Sequence, residues 1–198
     1  MFLWLFVIFS SAAFGDDALS LLDICYEKLD RGIPGAAAGV KYYFDKELMM
    51  CFPYRYEGAG GGRNSFTSDQ ECRAWCIAQD QQTCGANKEP TGSCLEWENF
   101  YCPKGLICQR GGLGVGICCD ESNEAEWDRE FNPTCANGYS VVTKKVWWGD
   151  VPVRGRRCAE EFCPDESQCF EGKWLAHCCL IKGSGETPNF INEDSPYQ

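Results

Sequence analysis

The residues best equipped for chemistry in this chain are its cysteines, of which there are 16 among 198 residues. A cysteine fraction at this level is typical of a disulfide scaffold, and an even count allows complete pairing. A metal site would instead need thiolates at short spacing or histidine partners. The only histidine is His177, and no two cysteines are separated by two residues. The sequence therefore predicts disulfides, and neither a metal nor any other cofactor.

An enzymatic role is disfavoured by the surroundings of the reactive residues. Cysteine catalysis needs a thiolate beside an imidazole, and His177 directly precedes Cys178. Cys178 belongs to an adjacent cysteine pair, however, and we expect it to be bridged and therefore unable to attack a substrate. The stretch RGGLGVG lies between Cys108 and Cys118 and predicts a turn rather than a phosphate-binding loop. We therefore expect that the protein is not an enzyme.

The first 15 residues, MFLWLFVIFSSAAFG, predict a secretory signal peptide, with Ala13 and Gly15 at the small positions before the cleavage site. Their apolar part is shorter than the roughly 20 residues that span a bilayer, although an uncleaved anchor is the alternative. We expect a secreted, extracellular protein, because disulfides persist in that compartment. The net charge of −11 argues against a nucleic-acid partner, and we expect no membrane partner.

Cysteine spacing divides the rest of the chain into three groups. The second and third groups resemble each other, because each contains a CP segment, CPKGLIC or CPDESQC, and each ends in adjacent cysteines. This repeat predicts two modules, residues 84–119 and 135–179, each closed by three bridges. Six cysteines allow 15 pairings, so the spacing does not determine which of them bond.

The segments around the last module carry weaker signals. Residues 120–134 are acidic and without apolar periodicity, which predicts a linker. Residues 180–198 are rich in Gly, Pro, Asn and acidic residues, which predicts a disordered tail. Within the module, YSVVTKKVWW has the β-branched and aromatic residues of a strand. We interpret Trp147 and Trp148 as core residues; the alternative is that they are exposed and contact a partner.

Residues 16–78 predict a hairpin followed by a helix. The stretch KYYFDKELMMCFPYRY contains two aromatic-rich runs separated by a charged bend, as in a twisted hairpin. The stretch SFTSDQECRAWC predicts a short helix with Ser68 as N-cap and Glu71 reaching back in a capping box. Cys72 and Cys76 would then share one helix face. We therefore predict a small disulfide-rich α+β fold, followed by two small disulfide-stapled modules made mainly of β structure and loops.

From Cys25 to Cys76 the chain resembles a Kunitz domain, the fold of pancreatic trypsin inhibitor. That family spaces its six cysteines as C-x8-C-x15-C-x7-C-x12-C-x3-C, and here the spacing from position 35 is G-x15-C-x7-A-x12-C-x3-C. One extra residue precedes Gly35. The characteristic tyrosine, buried asparagine and core phenylalanine of the family also match, at Tyr56, Asn64 and Phe66.

This resemblance implies that two of the three family disulfides are retained and that one is missing. The missing bridge would join positions 35 and 59, which are Gly35 and Ala59 here, and in the family it ties the protease-binding loop to the end of the hairpin. Glu57 stands where the family usually has glycine. The bridges that the resemblance implies are Cys25–Cys76 and Cys51–Cys72.

The resemblance also implies a protease-contact loop, in which Ala36 enters the specificity pocket of a serine protease. Pro34 and Gly35 lie on the acyl side of the scissile bond, and Ala37 and Ala38 lie beyond it. A methyl group suits a small, elastase-like pocket but contributes little burial energy. Ordering a glycine-flanked loop without its bridge costs about 1–2 kcal/mol per residue. The implied activity is therefore weak inhibition, slow cleavage, or binding without inhibition.

The two later modules resemble lustrin-type cysteine-rich repeats, in which a CP segment precedes a closing CC pair, and resemble whey acidic protein modules less well. Secreted chains that join a Kunitz domain to such repeats are similar to nematode proteins of cuticle formation. Two functions therefore stand side by side. One is a serine protease inhibitor or modulator of extracellular matrix or cuticle, and the alternative is a non-inhibitory structural component that binds a matrix protein.

Overall fold

The computed structural model describes residues 23–78 and 82–181. The predicted signal peptide lies outside these residues, and so does the predicted tail beyond position 181. The described residues confirm a small disulfide-rich α+β fold with a hairpin, a short helix and further disulfide-stapled modules. None of the helices within residues 23–78 and 82–181 has the length and apolarity needed to cross a bilayer.

The first unit is an antiparallel hairpin of β1 (Ile33–Asp45) and β2 (Met50–Ala59). Successive side chains of a strand point to opposite faces, and yet Tyr42, Tyr43 and Phe44 are all buried. Both faces of the hairpin are therefore covered at this end. The turn is held by the Asp45 carboxylate, which accepts hydrogen bonds from the backbone nitrogens of residues 47 and 48, each at 2.9 Å.

Helix α1 (Asp69–Cys76) begins at the predicted cap. The Ser68 hydroxyl accepts from the Glu71 nitrogen at 3.1 Å, which satisfies one of the unpaired donors of the first turn. The Glu71 carboxylate reaches back one residue farther than a capping box requires and accepts from the Thr67 nitrogen at 2.7 Å. Two disulfides fasten the helix. Cys51–Cys72 joins it to β2, and Cys25–Cys76 joins it to the segment before β1.

Asn64 anchors the segment between the hairpin and the helix to the protein interior through side-chain hydrogen bonds. Its side chain is buried, accepts from the Phe44 nitrogen at 2.8 Å, and donates to the carbonyl oxygens of Cys25, Glu27 and Phe44 at 2.9–3.2 Å. A buried amide with all these partners avoids the free-energy penalty of an unsatisfied polar group. The face of the hairpin that carries Tyr42 and Phe44 contributes to a cluster of buried residues: Cys25, Tyr42, Phe44, Cys51, Phe66 and Cys72.

The two later modules have the same disulfide connectivity, first to sixth, second to fourth and third to fifth cysteine. Each contains a three-stranded antiparallel sheet whose central strand carries the adjacent cysteines. The first sheet comprises β3 (Gly92–Leu95), β4 (Leu106–Arg110) and β5 (Val115–Asp120). The second comprises β8 (Arg154–Gly155), β9 (Ser167–Glu171) and β10 (Ala176–Leu180), preceded by the hairpin β6 (Thr143–Val146) and β7 (Gly149–Pro152). The shared connectivity supports the interpretation of an internal repeat.

The interpretation of residues 120–134 as a linker is wrong for most of that segment, because helix α2 (Glu121–Phe131) occupies it. The Glu130 carboxylate accepts from the backbone nitrogens of residues 173, 174 and 175 at 2.7–2.8 Å. The Glu124 carboxylate accepts from the Gly85 nitrogen at 2.7 Å and from the Gln109 side chain at 2.8 Å. The acidic residues that indicated a solvated segment are therefore hydrogen-bond acceptors for both modules.

The three disulfide groups share one hydrophobic core on the second face of the hairpin. Tyr43, Phe52 and Tyr54 of the hairpin lie there with Ala86 of the first module and Leu175 of the second. Aromatic residues of α2 and of the last module pack against this cluster: Trp127, Phe131 and Trp174. The hairpin unit and the two predicted modules are therefore separate segments of the sequence that pack against one another in the fold.

Trp147 and Trp148 lie at the turn between β6 and β7 and do not fill a core. Their exposed fractions are 83 % and 65 %, and their rings contact each other edge to face at 5.1 Å. Our interpretation of them as core residues is wrong. The small core of this module is filled instead by Val142, Val153, Phe162, Ala176 and Cys178.

Candidate functional site

The hairpin has an irregularity at the predicted contact loop. Pairing joins Pro34 to Gly58 and resumes between Gly39 and Tyr56, so residues 35–38 of β1 face a single residue of β2, Glu57. Residues 35–38 therefore project from the hairpin as a bulge, and every residue from 33 to 40 is exposed. The structure thus brings the predicted contact residues together at one exposed projection: Pro34, Gly35, Ala36, Ala37 and Ala38.

The backbone of Gly58 supports this bulge from beneath. Its φ of 116° is a conformation that residues with a side chain rarely adopt. A Cβ at this position would lie 2.3 Å from the Gly35 carbonyl oxygen and 2.8 Å from the Ala38 nitrogen. The main chain of β2 therefore approaches both ends of the bulge as closely as only glycine permits, and the exposed residues Ala36 and Ala37 form the outer part.

Gly35 and Ala59 face each other across the hairpin. A Cβ built on Gly35 would lie 2.7 Å from the Cβ of Ala59. A disulfide requires a Cβ–Cβ distance of about 3.5–4.5 Å, so two cysteines would fit here once the Cβ at position 35 has moved away from Ala59 and from the Gly58 carbonyl group, which lies 2.7 Å from it. In the native chain Ala59 pairs with Ile33, whereas Gly35 belongs to the unpaired bulge and only approaches Ala59 and Gly58 closely.

A polar cluster that sequence reasoning missed lies at the base of the bulge. The Arg31 guanidinium donates from Nε to the Arg55 carbonyl oxygen at 2.9 Å and from Nη2 to the Glu57 carboxylate at 2.7 Å. Its Nη1 donates to the Ala159 carbonyl oxygen at 2.9 Å and to the Glu161 carboxylate at 3.2 Å. One side chain from the segment just before β1 therefore connects β2 of the hairpin to the last module.

The opposite charges in this cluster stabilise the ionised forms of both side chains. The hydrogen bond that Arg31 donates to the Glu161 carboxylate raises the pKa of the Arg31 guanidinium, and the same contact lowers the pKa of the Glu161 carboxyl. Glu161 is 130 residues away from Arg31 in the sequence, so no local pattern could have revealed the pair. The one signal in the sequence was Glu57, where the resemblance described above implies a glycine.

A second buried network fastens the hairpin to the last module farther from the bulge. The Tyr43 hydroxyl donates to the Glu160 carboxylate at 2.6 Å, and both residues are buried. Burial raises the pKa of both groups. Beside them the Arg156 guanidinium contacts Asp45 at 3.2 Å and Glu47 at 2.8 Å. The network keeps the turn of the hairpin against the module.

An open groove lies between the helix side of the hairpin and the exposed tryptophans. Its volume is about 780 Å³, and its walls come from β2, α1 and the β6–β7 hairpin. Three cationic residues, Arg73, Lys144 and Arg154, and one acidic residue, Asp69, line it. The groove borders the turn end of β2, whereas the bulge lies at the opposite end of the hairpin. The two surfaces are therefore separate.

The cysteines are not available as thiolates. Among the described residues, three groups of cysteine, histidine or glutamate atoms lie close enough to hold a metal ion, but each of their cysteines is in a disulfide. Cys178 is bonded to Cys163, and the His177 ring stacks on Phe170 with 5.9 Å between ring centroids. Burial lowers the pKa of His177. The adjacent His–Cys pair in the sequence therefore has no nucleophilic sulfur.

Comparison with known proteins agrees with the hairpin, helix and disulfides described above. Residues 24–77 match the Kunitz/Bovine pancreatic trypsin inhibitor domain family. A BPTI/Kunitz inhibitor domain-containing protein of Caenorhabditis elegans is 45 % identical over 139 residues, covering 70 % of this chain and 78 % of that protein. The chain therefore belongs to the Kunitz-domain proteins, which are inhibitors rather than enzymes and whose Kunitz domains generally bind serine proteases.

Two further relatives are similar beyond the Kunitz segment. Major allergen Ani s 1 of Anisakis simplex is 28 % identical over 167 residues, covering 78 % of this chain and 86 % of that protein. Tissue factor pathway inhibitor of Rattus norvegicus is 29 % identical over 134 residues, covering 61 % of this chain and 43 % of that protein. These alignments are longer than residues 24–77, so the similarity extends into the disulfide modules that follow.

Proposed function

We propose that this chain is a secreted Kunitz-type inhibitor or modulator of a serine protease, acting in extracellular matrix or cuticle. The observation that carries the proposal is the exposed bulge of residues 35–38, which rests on the main chain of Gly58 and presents Ala36 and Ala37 outward of it. A loop that is already ordered before binding loses less conformational entropy on association. The relative from Rattus norvegicus is named as an inhibitor, which supports the same role here.

The contact residues favour weak inhibition of a protease with a small specificity pocket. Ala36 offers a methyl group and no charge, which suits an elastase-like pocket rather than one that recognises Lys or Arg. One methyl group contributes only about 0.8 kcal/mol on burial. Gly35 and Ala59 in place of a disulfide leave the bulge without the covalent brace that the Kunitz family usually has at these positions.

Replacing Ala36 by arginine is expected to redirect the full-length chain toward trypsin-like proteases. The native chain should inhibit an elastase-like protease at micromolar concentration and leave trypsin-like enzymes unaffected. The A36R variant should reverse this order, because a guanidinium pairs with an acidic specificity pocket. Inhibition constants against both enzymes are the measurement. The matched control is Ala74→Arg, an exposed alanine of α1 outside the bulge. If A36R and A74R have the same preference, residues 34–38 are not the contact loop.

The second candidate function is binding to a matrix protein, and the exposed tryptophan pair beside the groove favours it. Exposed aromatic residues next to an apolar groove are typical of interaction surfaces. The cationic residues Arg73, Lys144 and Arg154 stand out in a chain with a net charge of −11, and suit a partner with acidic and apolar side chains. This surface and the bulge can be occupied together, because they lie at opposite ends of the hairpin.

Replacement of Trp147 and Trp148 by serine tests this second function. We expect the double variant to lose affinity for extracted extracellular matrix by about a thousandfold, since two anchoring aromatic residues each contribute about 2 kcal/mol to an interface and about 1.4 kcal/mol corresponds to tenfold. Trp97→Ser is the control, because Trp97 is 74 % exposed and lies in the other module. Retention is measured in co-sedimentation with matrix, without reductant. Equal retention of both variants and the native chain would rule out the groove as the matrix contact.

A further inference from the structure

We propose that the last disulfide module holds the protease-contact bulge in place through Arg31, and so takes over part of the role of the missing disulfide. The residues of this bracket are Arg31, Glu57, Ala159 and Glu161. The functional part of the inference rests on the proposed function of the bulge. The structural part, that the module orders the bulge, does not.

The hairpin half of the bracket acts at the residue opposite the bulge. Glu57 is the single β2 residue that faces residues 35–38. Its backbone nitrogen donates to the Arg31 carbonyl oxygen at 2.9 Å, and its carboxylate pairs with the Arg31 guanidinium at 2.7 Å. Arg31 therefore grips Glu57 through both main chain and side chain. This double contact joins the segment that leads into β1 to the β2 residue that faces the bulge.

The module half of the bracket is itself rigid. The Cys158–Cys169 disulfide lies next to Ala159, and the Cys158 nitrogen donates to the Glu171 carboxylate at 2.9 Å. Glu160, between the two bracket residues, is buried against Tyr43. The backbone that carries the acceptors of Arg31 is thus held by covalent and buried contacts, so the order of the module is transmitted to the base of the bulge.

Only a guanidinium fits this arrangement. Arg31 has to reach a carboxylate on each side and two carbonyl oxygens at once, and the planar fork of arginine provides five donors for this. A lysine would place one ammonium group at one side of the cluster. The Glu161 side chain is 60 % exposed and that of Glu57 is 35 % exposed. Salt should therefore weaken the module half of the bracket before the hairpin half.

The order of the bulge after docking decides whether the chain inhibits a protease or is cleaved by it. A bulge that stays ordered after docking keeps the scissile bond in place, whereas a loosened bulge behaves as an ordinary exposed loop and is cut. The bracket therefore makes the outcome depend on a module outside the Kunitz segment. Disturbing that module should convert the chain from inhibitor toward substrate without any change in residues 34–38.

The test uses three variants of the full-length chain: Arg31→Met, Arg31→Lys and Glu161→Gln. Amide hydrogen exchange of residues 33, 35–38 and 57–59 reports the order of the bulge without any protease; residue 34 is a proline without an N–H group. We expect exchange about tenfold faster in R31M and in R31K, and a smaller increase in E161Q, as expected for loss of charge-assisted hydrogen bonds. We further expect the native chain to approach E161Q in high salt. Cleavage between residues 36 and 37 by an elastase-like protease should accelerate in the same order.

The control is Arg63→Met, which removes an ion pair with Glu27 that does not involve the last module. Exchange at residues 33 and 35–38 that is the same in R31M, R63M and the native chain would overturn the inference. If the bulge loosens in R31M but the native chain inhibits no protease, the bracket stands and the proposed function fails. Intact disulfides and an unchanged near-ultraviolet circular dichroism spectrum verify that each variant is folded. E161Q keeps the test decisive if R31M is not, because it leaves the Kunitz segment unaltered.

Discussion

Introducing cysteine at both Gly35 and Ala59 is expected to tighten inhibition by about tenfold to a hundredfold. The two positions face each other, and a bridge between them would join the acyl side of the bulge to the end of β2. A disulfide that closes such a loop stabilises by about 2–4 kcal/mol, chiefly by restricting the unbraced conformations. The inhibition constant against an elastase-like protease is the measurement, with the new bridge verified by mass spectrometry.

The control for this result is the double variant Gly35→Ser/Ala59→Ser. Serine adds a Cβ at position 35, which has to move away from the Gly58 main chain just as that of cysteine does. The difference between the two double variants therefore isolates the bridge. Equal inhibition by the disulfide and serine variants would mean that the Arg31 bracket already orders the bulge fully, or that its flexibility does not limit inhibition. Amide exchange at residues 35–38 in the native chain separates these two explanations.

Replacing Arg156 by methionine is expected to lower the free energy of unfolding by about 3 kcal/mol. The exposed fraction of Arg156 is only 7 %, and its guanidinium serves Asp45, Glu47 and the Trp174 carbonyl oxygen. Removing one member of a buried ion pair leaves its partner desolvated and unpaired, which destabilises by about 3–5 kcal/mol. Denaturant unfolding of the full-length chain with its disulfides intact is the measurement.

The neighbouring Arg157 provides a matched comparison. Its side chain is 40 % exposed and pairs with Glu171 at 3.4 Å. Because exposed ion pairs are screened by water and salt, Arg157→Met should change the free energy of unfolding by less than about 1 kcal/mol. A loss in R156M no larger than that in R157M would show that the contact between the hairpin turn and the last module contributes little to stability.

The Kunitz segment was predictable because its determinants are local or lie at fixed spacing. Ser68 and Glu71 marked the start of α1 within one turn, and the cysteine spacing placed Asn64 and Phe66 in register with the family. The hairpin followed from aromatic runs on either side of a charged bend. The repeat of CP and CC segments likewise predicted two similar modules, although the spacing left the pairing of their cysteines open.

Two interpretations failed for related physical reasons. The acidic residues of α2 indicated a linker. That interpretation failed because a sequence does not reveal that the Glu130 carboxylate accepts hydrogen bonds from three backbone N–H groups more than 40 residues away. The apolar character of Trp147 and Trp148 indicated a core. That interpretation failed because composition does not reveal on which side of a turn a side chain will lie. In both cases the environment, rather than the residue type, decided between burial and exposure.

The sequence by itself determined the scaffold: sixteen cysteines, a hairpin, a capped helix and a repeated module. Only the tertiary structure decided how these parts support the site. It packed both modules and α2 against one face of the hairpin, and it placed Glu161 beside Arg31 across 130 residues of chain. Local patterns encode secondary structure, whereas a contact between distant charges depends on the positions of every element between them. The brace of the bulge is therefore a property of the folded chain.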